Sequence, residues 1–335
     1  MRDDFQAIFG NAHLLTIAGN FWPRKIDATQ FPAIRREYRI AERITVAALE
    51  HRPLGTARGE IVFLHGLEGS SEAGYIASLA QAALIRGFGV HRLNMRTCGG
   101  TETLCETMYH SGLTSDTKFV LEQLQARRAG PCFLAGFSLG GNVALKLAGE
   151  LGQTDLLAGV CAVSTPIDLA ASVRQIDKPF NILYVRRFLD RLRQRVRRMS
   201  ELHPHLYSTA GLDEVKSIWE FDDRFTAPLF GFGTAANYYA TQSAVNYLDS
   251  IRVPTLVICA QDDPMVPFAM YQHAAFKNNP ALTLLATKKG GHLGFLSRRK
   301  PRFWLDGAVL DWIDARMTGQ ASKREAAFGG SLRQA

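Results

Sequence analysis

Short apolar runs recur along the chain, separated by longer stretches whose apolar residues fall three and four apart. The runs predict strands over Thr45–His51, Glu60–His65, Gly89–Met95, Pro131–Phe137, Leu157–Ser164, Pro254–Ala260 and Leu282–Thr287. Helical spacing falls near 73–86, 113–128, 139–151, 267–276 and 302–316. Strand and helix alternating in this way point to an α/β class, a mostly parallel central sheet with helices on both faces.

The alternation stops between about 168 and 250, where helical patterns follow one another. An insertion at that point of a parallel sheet lies over the edge where the strands end, so 169–250 is expected to form a helical cap. The core is then 37–168 and 251–318, with 1–36 as an N-terminal extension packing on it. The small polar segment 319–335 is expected to be a disordered tail.

Within the insertion, Ile182, Val185, Leu189, Leu192, Val196 and Met199 make one apolar stripe. Residues 186–198 surround it with seven arginines against one aspartate, which accounts for most of the net charge of +8. The simpler expectation is a cap helix that packs by its stripe and keeps its arginines solvated. The alternative is a weak peripheral contact of 182–199 with an anionic membrane. A nucleic-acid partner is not expected, because no aromatic stacking surface or known module accompanies the arginines.

Apolar residues at 47% and charged residues at 21% suit a globular protein with a large core. No apolar run is long enough to cross a bilayer, and the N-terminus lacks a secretory pattern, so a cytoplasmic protein is expected. Five cysteines without metal spacing read as reduced thiols, with Cys132, Cys161 and Cys259 in apolar runs and Cys98 and Cys105 in a loop. No cofactor and no metal are expected: a Lys-Ser/Thr phosphate loop is missing, and Gly87-x-Gly89 is only a fragment of a dinucleotide fingerprint.

The chemistry starts at Gly136-Phe137-Ser138-Leu139-Gly140, with a predicted strand before it and a predicted helix after it. That is the context of the nucleophile elbow of the α/β-hydrolase fold. A serine hydroxyl needs a base to take its proton and a carboxylate to orient that base, and in this fold they follow in the order Ser, Asp or Glu, His. His292, in Gly290-Gly291-His292-Leu293-Gly294 after the last strand, is the expected base. Asp262 and Asp263 both follow the strand before it. Asp263 is favoured as the acid because it is followed by x-x-Val-Pro, as in related folds, which leaves Asp262 as a solvated or helix-capping neighbour. The backbone N–H groups of Leu139, next after the nucleophile, and Leu67, in His65-Gly66-Leu67-Glu68, are the expected oxyanion donors.

Several motifs in register extend the likeness. Asn11-Ala12-His13-Leu14-Leu15-Thr16, Gly66-Leu67-Glu68-Gly69-Ser70-Ser71, Arg96-Thr97-Cys98-Gly99-Gly100 and Tyr109-His110-Ser111-Gly112 join the serine and histidine motifs, as do Phe221–Pro228 and Tyr238-Tyr239. Together, over about 11–315, the chain resembles the YheT-like subfamily of α/β-hydrolases. Arg96-Thr97-Cys98 departs from the more usual Arg-Gly-Cys or Arg-Asn-Cys.

The resemblance implies a carboxylic-ester hydrolase with a Ser-Asp-His triad, taking short- to medium-chain or lipid-like esters. Eukaryotic relatives include membrane-anchored enzymes acting on lipids. An acyltransferase using the same triad and a non-catalytic α/β-hydrolase-like binding protein are the alternatives. Arg96 and His110 are expected either near the site or, in the simpler reading, as a loop anchor and a residue packed beneath the loop.

Overall fold

The structure, a computed structural model, describes residues 5–329, with side chains described through 318. Eight strands form one sheet: β1 Ile34–Ala41, β2 Ile44–His51, β3 Glu60–Leu64, β4 Gly89–Leu93, β5 Cys132–Phe137, β6 Gly159–Val163, β7 Thr255–Ala260 and β8 Leu282–Thr287. Their order is β1-β2-β4-β3-β5-β6-β7-β8, antiparallel through β2 and β4 and parallel from β4 onward. Every residue of β3 through β7 is buried, as expected for parallel strands covered on both faces, and this is why they read as unbroken apolar runs.

The helices that cover the sheet and carry the site are α1 Ala12–Phe21, α2 Gly74–Ile85, α3 Ser115–Ala126 and α4 Leu139–Leu151. One face packs α3 and α4 through residues such as Val120, Leu124, Val143 and Leu147. The other packs α2 and the C-terminal helix Trp304–Gly329 through Ile76, Leu79, Val309 and Ile313. From β6 to β7 every regular element is helical among the described residues, starting with α5 Leu169–Ile176 and α6 Ile182–Leu202. This stretch has its own apolar cluster, which includes Leu189, Val196, Phe221 and Tyr239.

Three expectations change. Strand β1 went unpredicted because Arg35, Arg36, Glu37 and Arg39 dilute its alternation, and only Tyr38 in it is buried. The helix expected at 267–276 is a 3₁₀ turn, Phe268–Gln272, and a short helix, Ala275–Asn278. His273 between them, at ψ 140°, leaves the helical region and ends the first turn, and its ring accepts the Ala275 N–H. The C-terminal helix runs past 316 into the segment expected to be a tail, of which residues 330–335 lie outside the described residues. All five cysteines are free and buried; burial pushes the Cys98 thiol up to about 12. Among the described residues, no helix is long and apolar enough to cross a membrane.

Candidate active site

Strands β3, β5, β7 and β8 all end at one edge of the sheet, and each contributes a turn there. The turn after β5 holds Ser138 at φ 51°, in the left-handed region that costs a side chain of order 1–3 kcal/mol and persists only where its surroundings enforce it. Two close approaches enforce it here. A Cβ on Gly136 would lie 2.2 Å from the Gly140 carbonyl oxygen, and one on Gly140 would lie 2.5 Å from that of His65. Only glycine fits either place, so the turn closes and the hydroxyl stands clear of the strand.

The Ser138 hydroxyl lies 2.9 Å from His292 Nε2, and His292 Nδ1 lies 2.8 Å from Asp263 Oδ2. The other oxygen of Asp263 accepts the N–H groups of Met265 and Val266 at 2.8 and 3.0 Å, so the carboxylate is aimed by its own turn. The three side chains therefore form one hydrogen-bonded line. Nδ1 protonated toward the carboxylate leaves the Nε2 lone pair to accept the serine proton.

Asp262 does not face Ser138. Its carboxylate accepts the Gly291 N–H at 3.0 Å, so it steadies the loop that carries His292 rather than capping a helix. Adjacent carboxylates thus serve one loop from two directions. A second brace comes from α1: Thr16 Oγ1 accepts the His292 N–H at 2.8 Å, and a Cβ on Gly291 would lie 2.5 Å from the Ala12 carbonyl oxygen. Thr16 drew no attention as a site residue, since a threonine among apolar residues carries no local signal of a partner 276 positions away.

The turn after β3 runs His65-Gly66-Leu67-Glu68 beside Ser138. Burial lowers the His65 pKa to about 4, so its ring is neutral: Nδ1 donates to the Gly66 carbonyl at 2.8 Å and Nε2 accepts the Met95 N–H at 3.1 Å. Tyr75 accepts the Gly66 N–H at 3.0 Å. Next along the turn, Glu68 sits at φ 52° and donates its N–H to the Tyr109 hydroxyl, which in turn donates to Glu68 Oε1. Among the described residues the N–H groups of Leu67 and Leu139 have no protein acceptor.

The Glu68 carboxylate is clamped from the helical insertion. Arg195 of α6 grips both its oxygens at 2.9–3.0 Å and also donates to the Thr97 carbonyl, while Arg191 donates to the Glu68 carbonyl at 3.0 Å. The side chains of Glu68 and Arg195 are 2% and 11% exposed. The expectation of solvated arginines holds for Arg186, Arg191, Arg197 and Arg198, which are exposed, and fails for Arg193 and Arg195. The stripe packs inward at Val185, Leu189, Leu192, Val196 and Met199, but Ile182 is exposed, Arg195 is largely withdrawn from solvent, and Arg193 donates to the Val215 carbonyl.

Arg96 makes a two-pronged pair with Asp116 at 2.6 and 2.7 Å, and His110 packs among Phe230, Phe232 and Tyr238 with its pKa lowered to about 3 by burial. Both follow the simpler expectation, although His110 also borders one of the cavities at Ser138.

Two cavities meet at Ser138 and His292. One is an enclosed pocket of about 90 Å³ under the insertion, bordered by Leu139, Val173, Leu192, Phe221 and Tyr239. At its wall Asp222 accepts the Tyr239 hydroxyl at 2.6 Å, and burial pushes this carboxyl up to about 6. The other is an open cleft of about 750 Å³ between α1 and α6, bordered by Ile17, Phe21, Tyr184, Arg187, Arg191 and Arg198.

Comparison with known proteins places the chain in a family. Residues 60–298 match the family described as the alpha/beta hydrolase fold. YheT of Escherichia coli, an esterase by name, is 32% identical over 311 residues, covering 91% of each chain. Phospholipase ABHD3 of Mus musculus is 31% identical over 268 residues, 78% of this chain but only 64% of its own length. A solved structure, the Pyrococcus furiosus esterase Pf2001, superposes with a TM-score of 0.59 at 18% identity over 88% of this chain and 97% of its own, a likeness of fold. The chain belongs to the α/β-hydrolase fold family, in its YheT-like branch of carboxylic ester hydrolases.

Proposed function

We propose that this enzyme cleaves carboxylic esters through an acyl-enzyme on Ser138, with His292 as general base and acid and Asp263 as its orienting carboxylate. The observation that carries the reading is the unbroken line Asp263–His292–Ser138, with hydrogen bonds of 2.8 and 2.9 Å, placed where two cavities meet. Ser138 Oγ attacks the acyl carbonyl carbon as its proton passes to His292 Nε2. The oxyanion that forms is held by the N–H groups of Leu67 and Leu139. Collapse breaks the bond to the alcohol oxygen, which takes the proton from His292, and water repeats the sequence to release the acid.

The two cavities divide the substrate. The enclosed apolar pocket suits a short to medium acyl chain, and the open cleft with its arginines suits the alcohol half. Five buried free thiols favour a cytoplasmic location, where glutathione keeps such groups reduced.

The test is a series of p-nitrophenyl esters of increasing acyl length together with a fluorophosphonate probe. Saturable turnover with an optimum below long-chain acyl groups, and labelling that maps to Ser138, are expected. A protein that takes no label and hydrolyses no ester overturns the reading.

A further inference from the structure

Eight of the twelve exposed large apolar side chains among the described residues lie in two stretches, 9–22 and 180–183. Scattered exposure needs no explanation, but concentration does. The two stretches adjoin: the His13 ring stacks on Tyr184 at 5.7 Å and meets Phe180 edge-on at 6.4 Å, and the Arg187 guanidinium lies over Phe21 at 5.1 Å. On α1, Leu14, Ile17 and Phe21 are three and four apart, so they share one outward edge. Phe180, in the 3₁₀ turn Pro179–Asn181, and Leu183, in the first turn of α6, start the facing wall, with Leu14 53% and Leu183 71% exposed. Ile17 and Phe21 of the first stretch, with Tyr184, Arg187 and Arg191 of α6, border the cleft that descends to Ser138, and Leu14, Phe180 and Leu183 continue the same apolar surface outside it.

Charge surrounds the same mouth. Among the described residues no carboxylate pairs with Arg186, Arg187 or Arg191, whereas Arg197 and Arg198 farther along α6 pair with Asp213 and Glu201. Partial burial and then the like charge of Arg191 lower the Arg187 pKa, as expected where cations crowd without a counter-ion. Asp190, the acid between them, is paired with Arg193; of the other acids bordering the cleft, Glu68 is held by Arg195, the exposed Glu72 pairs with Arg92, and Glu102 lies on the turn after β4. An apolar rim beside unpaired arginines is the make-up of a surface that sinks its side chains among acyl tails while its cations meet anionic headgroups.

We propose that the rim formed by α1 and the first turns of α6 docks on an anionic lipid bilayer, with the mouth of the Ser138 cleft against the membrane. An ester could then pass from the lipid surface into the cleft without crossing water. A soluble polyanion would use the arginines and leave Leu14 and Leu183 idle, and this separates the two kinds of partner. Docking rests on the exposed surface and not on the chemistry at Ser138, so Ser138→Ala tests it apart from hydrolysis.

The experiment is sedimentation of the full chain with vesicles of phosphatidylcholine alone or with phosphatidylglycerol. Binding is expected only when phosphatidylglycerol is present, and equally for wild type and Ser138→Ala. Leu14→Ser/Leu183→Ser, which touches neither cavity, should weaken binding about tenfold or more. Arg186→Gln should weaken it about fivefold. Both variants should keep wild-type turnover of a water-soluble ester, which also establishes that they fold.

As a second measurement, Leu183→Cys carrying a polarity-sensitive dye should shift to the blue on vesicles. Leu54→Cys, an exposed site beyond the end of β2 and on the opposite edge of the sheet from Ser138, should not. All five native cysteines are buried, so labelling is confined to the introduced one. No binding to phosphatidylglycerol vesicles, binding that the serine double variant leaves unchanged, or a dye response equal at both positions overturns the proposal.

Discussion

Ser138 has two walls of different construction. On the sheet side, the turns after β3, β5, β7 and β8 are held by close backbone approach and backbone hydrogen bonds, and the groups with chemistry to do hang from them. On the insertion side, the wall is apolar packing crossed by buried charge, and its strongest tie to the site is the ion pair of Arg195 with Glu68. The first wall uses geometry that any α/β sheet edge supplies. The second depends on how the insertion packs over the sheet, so damage to the two should look different: loss of chemistry on one side, and loss of positioning, selectivity and stability on the other.

The largest effect is expected from Ser138→Ala, a fall in kcat on the order of a millionfold with little change in melting temperature, measured by ester turnover and thermal unfolding. Asp263→Asn should follow, with kcat down by about ten-thousandfold because the His292 ring loses its tautomer and aim. Asp262→Asn should cost at most about tenfold, through a slacker Gly291 N–H contact. A reversal of that order would assign the orienting role to Asp262 and undo the account of the sheet wall.

Arg195→Met sharpens the comparison most directly. It leaves the buried Glu68 carboxylate without its cation, with only the Tyr109 hydroxyl to hold it, and should destabilise the fold by about 3–5 kcal/mol. It should also lower kcat more than it raises KM, on the order of a hundredfold, as Glu68 leaves its left-handed geometry and the Leu67 N–H drifts from the oxyanion. Adding Glu68→Gln should restore most of the stability but not the rate. Stability and rate recovering together would mean that Arg195 only props up the fold.

The smallest effect concerns pH and has opposite signs on the two walls. His65, lowered from 6.5 to about 4 by burial, binds its proton more weakly in the folded state, so its contribution to stability is lost as pH falls through that interval. Asp222, raised from 3.8 to about 6, binds its proton more tightly when folded, so its contribution is present below about 4 and is lost as pH rises through 6. In the wild type the two slopes oppose each other between about 4 and 6. Asp222→Asn should therefore unmask a steeper rise of stability with pH across that window, measured by urea unfolding. An unchanged slope would mean that Asp222 titrates normally.

Much of the sheet wall was legible in the sequence. Strands β3, β5 and β7 are buried on both faces and read as apolar runs, as does the half-buried edge strand β8, and Ser138, Asp263 and His292 each follow such a run. Strand β1 was not, because an exposed edge strand carries Arg35, Arg36 and Arg39 without penalty and shows little alternation. The insertion was visible as a lapse in the strand pattern, and the α6 stripe as a helix face. Which of its arginines stay in solvent, as Arg186 and Arg191 do, and which turn inward, as Arg195 does, was not legible, because an arginine paired inside a protein and one standing in water are the same letter.

By itself, then, the sequence determined which strands reach the edge, the order of serine, acid and histidine, and the glycines that admit the elbow. These depend on periodicity and on local steric limits, which act over a few residues. Only the tertiary structure decided which of two adjacent aspartates meets His292, that Thr16 braces it, that Arg195 holds Glu68, and that the exposed residues of α1 and α6 surround one cleft mouth. Those are relations between residues more than 25 and up to 276 positions apart, and a side chain's partner at such a range is set by how whole elements pack.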